Sequence, residues 1–150
     1  MMAKREFVQQ AYAAASRSSE LSGMPAMVTV AQAALESNWG KSRLSQEAHN
    51  YFGIKAHGSH ERIRMSTHEC EAGKMVEARA EFAKYGSLAD CIECRDAILL
   101  RGAVYAGARQ ERGDEAGFVR EMAKHWATDP KYAEKLQAML VEVKGILEKS

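Results

Sequence analysis

Apolar residues along this chain recur with two different periods, and the change of period divides it. Phe7, Val8, Ala11, Ala14 and Ala15 repeat at three- and four-residue spacing, as do Met27, Val30, Ala31, Ala34 and Leu35. Ala133, Leu136, Leu140, Val143 and Leu147 do the same near the other end. Side chains three and four apart share one face of an α-helix, so each set is a stripe to be buried. The pattern predicts helices over about 4–17, 25–39, 87–108, 114–126 and 130–148. From about 54 to 84 the period shortens to two, with Ile63, Met65 and Thr67 before "EAGK" and Met75, Val76, Ala78, Ala80 and Phe82 after it. Gly73 suits a turn there, so this stretch predicts a small β-hairpin. Helices plus one separate small sheet predict an α+β fold in a single domain over 1–150, with two lobes and a cleft between them.

The second predicted helix runs into "AQAALESNWGKS". Pro25 lies near its start and Gly40 is placed to close its end. Glu36 falls just beside the apolar stripe, one turn from Gln32, and Trp39 is expected one turn further on. A carboxyl at the core edge, near a helix C-terminus and beside an indole, is disfavoured in its ionised form. A helix terminus contributes about 0.3–1 kcal/mol, less than one pKa unit, whereas desolvation can shift a carboxyl by roughly 3–5 units. Burial therefore has to do most of any tuning. Glycosidases raise one carboxylic acid to about 6–7 so that it can protonate a leaving sugar oxygen. From the helix pattern alone, a solvated glutamate at a stripe edge is the ordinary reading.

Composition removes several other functions. The chain has 150 residues, 46% hydrophobic and 27% charged, which is ordinary for a globular domain. A net charge of +1 gives no field directed at nucleic acid or an anionic membrane. The first sixteen residues, with Gln9 and Gln10 in their middle, lack the apolar core of a signal peptide, and no run is long enough to span a membrane. Synthesis in the cytoplasm is expected. Cys70, Cys91 and Cys94 make an odd count, and Cys91-Ile92-Glu93-Cys94 has no second pair, so neither a disulfide framework nor a zinc site is expected. His49, His57, His60, His68 and His125 show no ligand spacing. No metal and no cofactor is expected.

Motifs in order along the chain change the picture for Glu36. "ALESNWGKSRL" followed closely by "AHNYFGIKA" resembles the signature of the peptidoglycan hydrolases of glycoside hydrolase family 73. That family includes autolysin N-acetylglucosaminidases and the muramidase domain of the flagellar rod cap. Weaker matches follow in "THE" with "GK" (Thr67, Glu69, Gly73, Lys74) and "FAKYGS" (Phe82, Tyr85, Ser87), and a specific one in "ATDPKYAEKL". The similarity covers about 25 to 140.

The resemblance implies a mostly helical lysozyme-like fold and cleavage of the glycan strand of peptidoglycan. Glu36 matches the family's catalytic acid, Glu69 the second carboxylate of the β-lobe, and Tyr132 the tyrosine of the TDPxYA motif. Asn50 and Phe52 match an Asn-x-Phe-Gly turn bordering the substrate groove. Trp39 and Trp126 are candidate sugar-stacking rings, with core packing as the alternative. Asp129 and Pro130 read independently as the cap and first residue of the last helix. The chain departs from the family where His125-Trp126 replaces Gly-Tyr, which bears on subsite preference. It departs again in "YGSLADCIECR", where Asp90, Ile92, Cys94 and Arg95 replace common residues; these are expected to affect packing and leave the chemistry alone.

The chemistry expected is general-acid glycoside hydrolysis by an endo-β-N-acetylglucosaminidase. Glu69 serves as base for an inverting water, as nucleophile, or as a stabiliser while the substrate's acetamido group attacks. Muramidase or lytic transglycosylase action is the close alternative; a non-catalytic peptidoglycan-binding or phage structural protein is the distant one. A monomer is expected, acting on the wall after release, in the manner of a phage or prophage endolysin.

Overall fold

The computed structural model describes residues 2–150, and the side chains of residues 67–71 and 76 lie outside the described part. Among the described residues, seven helices and one hairpin stand where five helices and a hairpin are predicted, in the same order but with different bounds. Helix α1 (Lys4–Ser22) runs past the expected end near 17 and closes at Gly23. Its serine-rich last turns look loop-like in sequence, but Ser18 and Ser22 donate to Asp96 at 2.6 and 3.1 Å, a tertiary partner that local pattern does not show.

Helix α2 (Ala26–Ser37) stops earlier than expected. Asn38, Trp39 and Gly40 all take left-handed backbone, at φ 50°, 60° and 78°. The glycine is required by space as well as by φ, because a Cβ there would meet the Phe7 ring at 3.0 Å. A short helix α3 (Arg43–Ala48) follows, started by the Ser42 side chain accepting from Ser45 N. Six residues are too few for a period to be read.

The predicted hairpin is present as β1 (Arg62–Glu71) and β2 (Lys74–Ala83), antiparallel, in a register pairing Arg62 with Ala83 and Glu71 with Lys74. Ala72 and Gly73 form the two-residue connection with φ 50° and 79°, the double positive that matches the twist of the strands.

The helix expected over 87–108 is broken. Helix α4 (Leu88–Arg101) ends at Gly102, a 3-10 turn covers Ala103–Tyr105, and α5 (Ala106–Gln110) follows. A Cβ at Gly102 would stand 2.8 Å from the Tyr105 ring and 2.9 Å from Ile98 O, so only glycine lets the chain turn there. Arg109 Nη1 donates to Leu99 O and Gly102 O, both at 2.7 Å, closing the exposed end of α4. Helices α6 (Glu115–Trp126) and α7 (Tyr132–Glu148) complete the body. The last helix begins at Tyr132 rather than Pro130. Asp129 Oδ1 accepts from Lys131 N at 2.9 Å and its carbonyl from Tyr132 N at 3.1 Å, so the residues before the helix form a tight turn.

The core is built by α1, α2, α4, α6 and α7, around Phe7, Val28, Ile92, Phe118 and Leu136. The hairpin stands off this body. Its base is tied in through Ala83 N to Ile54 O and Tyr85 N to Ala48 O, at 2.9 and 2.8 Å. That is the expected α+β arrangement, helical body and small β-lobe.

Candidate active site

A cleft of about 930 Å³ separates the two lobes. Leu35 and Glu36 from the end of α2 lie in it, with Phe52 and Ile54 from the loop after α3. Met65, Ser66, Met75 and Phe82 give the β-lobe wall; Tyr105, Trp126, Asp129 and Tyr132 give the opposite one. Its size suits a ligand of several hundred Å³.

Glu36 occupies the penultimate position of α2. By accessible surface Glu36 is exposed and opens onto the cleft, so it can be reached; protein packed around the rest of the carboxyl is what crowds its charge. Burial pushes its pKa up from 4.5 to about 7, with a hydrogen bond from Tyr132 pulling the other way. Tyr132, 5% exposed at the start of α7, lines the same cleft, and its hydroxyl draws the Glu36 pKa down as a phenol donating toward a carboxylate does. Burial and the neighbouring Glu36 hold the phenol well above its usual pKa, so it keeps its proton. Asp129, on the same cleft, is driven in the opposite direction by Lys135 and by Lys131 N and stays ionised.

A network stands behind this pair. Gln32, one turn before Glu36 on α2, donates from Nε2 to Tyr132 Oη at 3.1 Å. Its Oε1 accepts from Arg95 Nε at 2.9 Å. Arg95 Nη1 in turn donates to Thr29 Oγ1 and Asp96 Oδ1, each at 2.8 Å. Gln32 and Arg95 were not expected at the site. Arg95, expected to affect packing, also joins a hydrogen-bond chain: it donates to Gln32, which donates to the Tyr132 phenol. The adjacent Cys91-x-x-Cys94 is a packing feature. Cys91 accepts from Tyr51 N at 3.4 Å and Cys94 from the Tyr85 hydroxyl at 3.1 Å. Burial pushes the Cys91 thiol up to about 12, leaving it unreactive.

Two expected substrate contacts are corrected. Trp39 is 6% exposed, lies outside the cleft wall, packs edge-on against Phe7 at 6.5 Å and carries Lys4 Nζ 4.5 Å from its ring centre. The early end of α2 turns it onto α1 rather than below Glu36, so the apolar ring beside the carboxyl is Tyr132. Asn50 is 1% exposed and spends its whole amide on the chain. Nδ2 donates to Ile54 O and Ala83 O at 2.8 and 2.9 Å, and Oδ1 accepts from Phe52 N and Ile54 N at 3.3 and 3.1 Å. It holds the turn instead of touching the groove. Phe52 and Trp126 do line the cleft, edge-to-face at 6.4 Å, and Trp126 also meets Tyr105 at 6.2 Å. Glu69 lies on β1 opposite Val76; its side chain is outside the described part.

Residues 12–145 match the family model for glucosaminidases, described as mannosyl-glycoprotein endo-beta-N-acetylglucosaminidase. The chain belongs to this glucosaminidase family. Among curated relatives it is 36% identical to the exo-glucosaminidase LytG of Bacillus subtilis over 118 residues, 75% of this chain and 42% of LytG. It is 34% identical to the peptidoglycan hydrolase FlgJ of Salmonella typhimurium over 151 aligned positions, 97% of this chain and 48% of FlgJ. The chain thus spans less than half the length of either relative. A crystal structure of a mutant peptidoglycan hydrolase from Sphingomonas sp. A1 superposes with a TM-score of 0.87 at 28% identity, covering 97% of this chain and 99% of that one. The fold is the lysozyme-like one of glycoside hydrolases. No helix among the described residues is long and apolar enough to cross a membrane.

Proposed function

We propose that this chain hydrolyses the β-1,4 bonds of the peptidoglycan glycan strand as an endo-β-N-acetylglucosaminidase, acting as one catalytic domain on the cell wall. The observation that carries this is a carboxyl on the wall of a sugar-sized cleft that it shares with the buried Tyr132 phenol, itself held by Gln32; burial pushes that carboxyl up to about 7. Family membership and the activities named for LytG and FlgJ supply the substrate class.

Glu36 donates its proton to the glycosidic oxygen as the C1–O bond breaks, and water supplies the hydroxyl that ends on C1. The phenolic hydrogen bond then meets a carboxylate instead of a neutral acid, and it is stronger to the charged form. Glu69 is assigned as the second carboxylate because β1 belongs to the lobe that walls the cleft. Trp126, partly exposed on the cleft wall, offers an apolar face to the sugar rings, and the buried Phe52 ring backs it.

Digestion of purified peptidoglycan, with mass spectrometry of the products, tests this reading. New N-acetylglucosamine reducing ends that disappear with Glu36→Gln support it; N-acetylmuramic ends reassign the bond, and 1,6-anhydro ends indicate transglycosylation. Undiminished digestion by Glu36→Gln removes the assignment. The anomer released first separates inversion from retention. Two tryptophan variants should behave oppositely. Trp126→Ala is expected to raise KM about five- to tenfold, measured at a temperature where the variant remains folded, because its ring also packs on Phe52 and Tyr105. Trp39→Phe is expected to cost about 1–2 kcal/mol of stability, read as a lower Tm, with KM unchanged.

A further inference from the structure

Arg95 heads the fully buried side chains of the described structure by volume, and a guanidinium is costly to place there. Its hydrogen bonds have a property that a neutral residue's would lack. A guanidinium only donates. Because Nε–H donates to Gln32 Oε1 at 2.9 Å, the oxygen end of that amide is committed to Arg95. Its nitrogen end therefore faces Tyr132 and donates to the phenolic oxygen at 3.1 Å. With Gln32 donating to its oxygen, the phenol keeps its own proton free to be offered to Glu36, which lines the same cleft and whose pKa the phenol lowers.

The two ends of a glutamine amide are nearly the same shape, so packing alone does not choose between them. Reversed, Gln32 would present its oxygen to Tyr132 and compete with Glu36 for the proton. Arg95 is itself held fast. Thr29 Oγ1 and Asp96 Oδ1 accept from Nη1 at 2.8 Å, Asp96 Oδ2 accepts from Ser18 and Ser22, and the Phe52 ring centre lies 5.6 Å from Cζ.

We propose that Arg95 is a positioning residue that fixes the direction of hydrogen bonding through Gln32 and Tyr132, committing the phenolic proton to Glu36. Its consequence for catalysis rests on the reading of Glu36 as general acid. Among the described residues, the other titratable side chains lining the cleft are Lys55, His57, Tyr105, Asp129 and Lys135. None of them is a cause of the shift at Glu36, which comes from burial and Tyr132.

The test pairs Arg95→Met/Asp96→Asn, which removes both buried charges together, with Arg95→Lys, which keeps a donor-only side chain. The Glu36 carboxyl is titrated by NMR in each protein, and kcat/KM on peptidoglycan is followed against pH. In the double variant the midpoint and the basic limb should both move up by about one unit, because a hydrogen bond to the carboxylate has been lost. Arg95→Lys should stay near wild type. Adding Tyr132→Phe should abolish any further shift from the double variant, since no phenolic proton remains to be directed. A lower Tm with an unmoved midpoint would make Arg95 a purely structural ion pair and overturn the proposal. In the wild-type protein, NOEs from the Gln32 side-chain NH2 to the Tyr132 ring are expected; NOEs to Arg95 Hε in their place would overturn it with no variant needed. The two readings fail separately. A shifted midpoint alongside a fully active Glu36→Gln keeps the positioning role and removes the general acid, while an inactive Glu36→Gln with no shift does the reverse.

Discussion

Glu36→Gln is expected to lower kcat/KM on peptidoglycan by about 10²–10⁴-fold, the contribution of a positioned general acid. The amide keeps the size of the side chain and can still accept from Tyr132, so the fold should be retained while the transferable proton is lost. The same substitution should affect stability in a pH-dependent way. Glu36 binds its proton more tightly in the folded protein, at about 7, than at its ordinary value of 4.5. Between those two values the folded chain holds more protons than the unfolded one, so this group's contribution to stability falls as pH rises. Above about 7 the ionised carboxyl is a fixed liability; below 4.5 it is none. Gln does not titrate. The Tm of Glu36→Gln relative to wild type should therefore be higher at pH 8 than at pH 4. Equal differences at the two pH values would mean that the carboxyl is not perturbed by the fold.

Asn50→Ala is expected to give the largest loss of stability among single changes near the cleft, about 3 kcal/mol or more. The amide serves two donors and two acceptors of the buried backbone, and each group left unpaired costs roughly 1–3 kcal/mol. In a chain of this length that corresponds to a Tm lower by roughly 6–12 °C, measurable by calorimetry. The loss has a functional side. Asn50 binds Ile54 and Ala83 at once, so it joins the loop carrying Phe52 to the end of β2 and sets the width of the cleft. At a temperature where the variant remains folded, KM should rise. A Tm within 2 °C of wild type would show that water replaces the amide in full.

Local pattern carried much of this architecture. The stripe of α2 located Glu36, the switch from helical to two-residue period located the hairpin, and Gly73 located its turn. Tyr132 followed from the motif that starts α7. What escaped was decided by contacts distant in sequence. Trp39 leaves the cleft because Phe7 receives it and three left-handed residues turn it there, a geometry that a helical wheel continued past Ser37 cannot give. The break at Gly102 depends on the Tyr105 ring, and the serines of α1 stay helical because Asp96 accepts from them. Arg95 was visible only as a departure from the common pattern. Its meaning needed α4 and α2 side by side, with Gln32 between it and the phenol. Gln32 did carry a signal, being one turn from Glu36 on the same helix.

The whole account turns on the state of one carboxyl, and NMR of ¹³C-labelled glutamate, with Glu36→Gln to assign the signal, reads it directly. A titration midpoint at about 7 is the predicted result; a midpoint at the ordinary 4.5 would contradict the account.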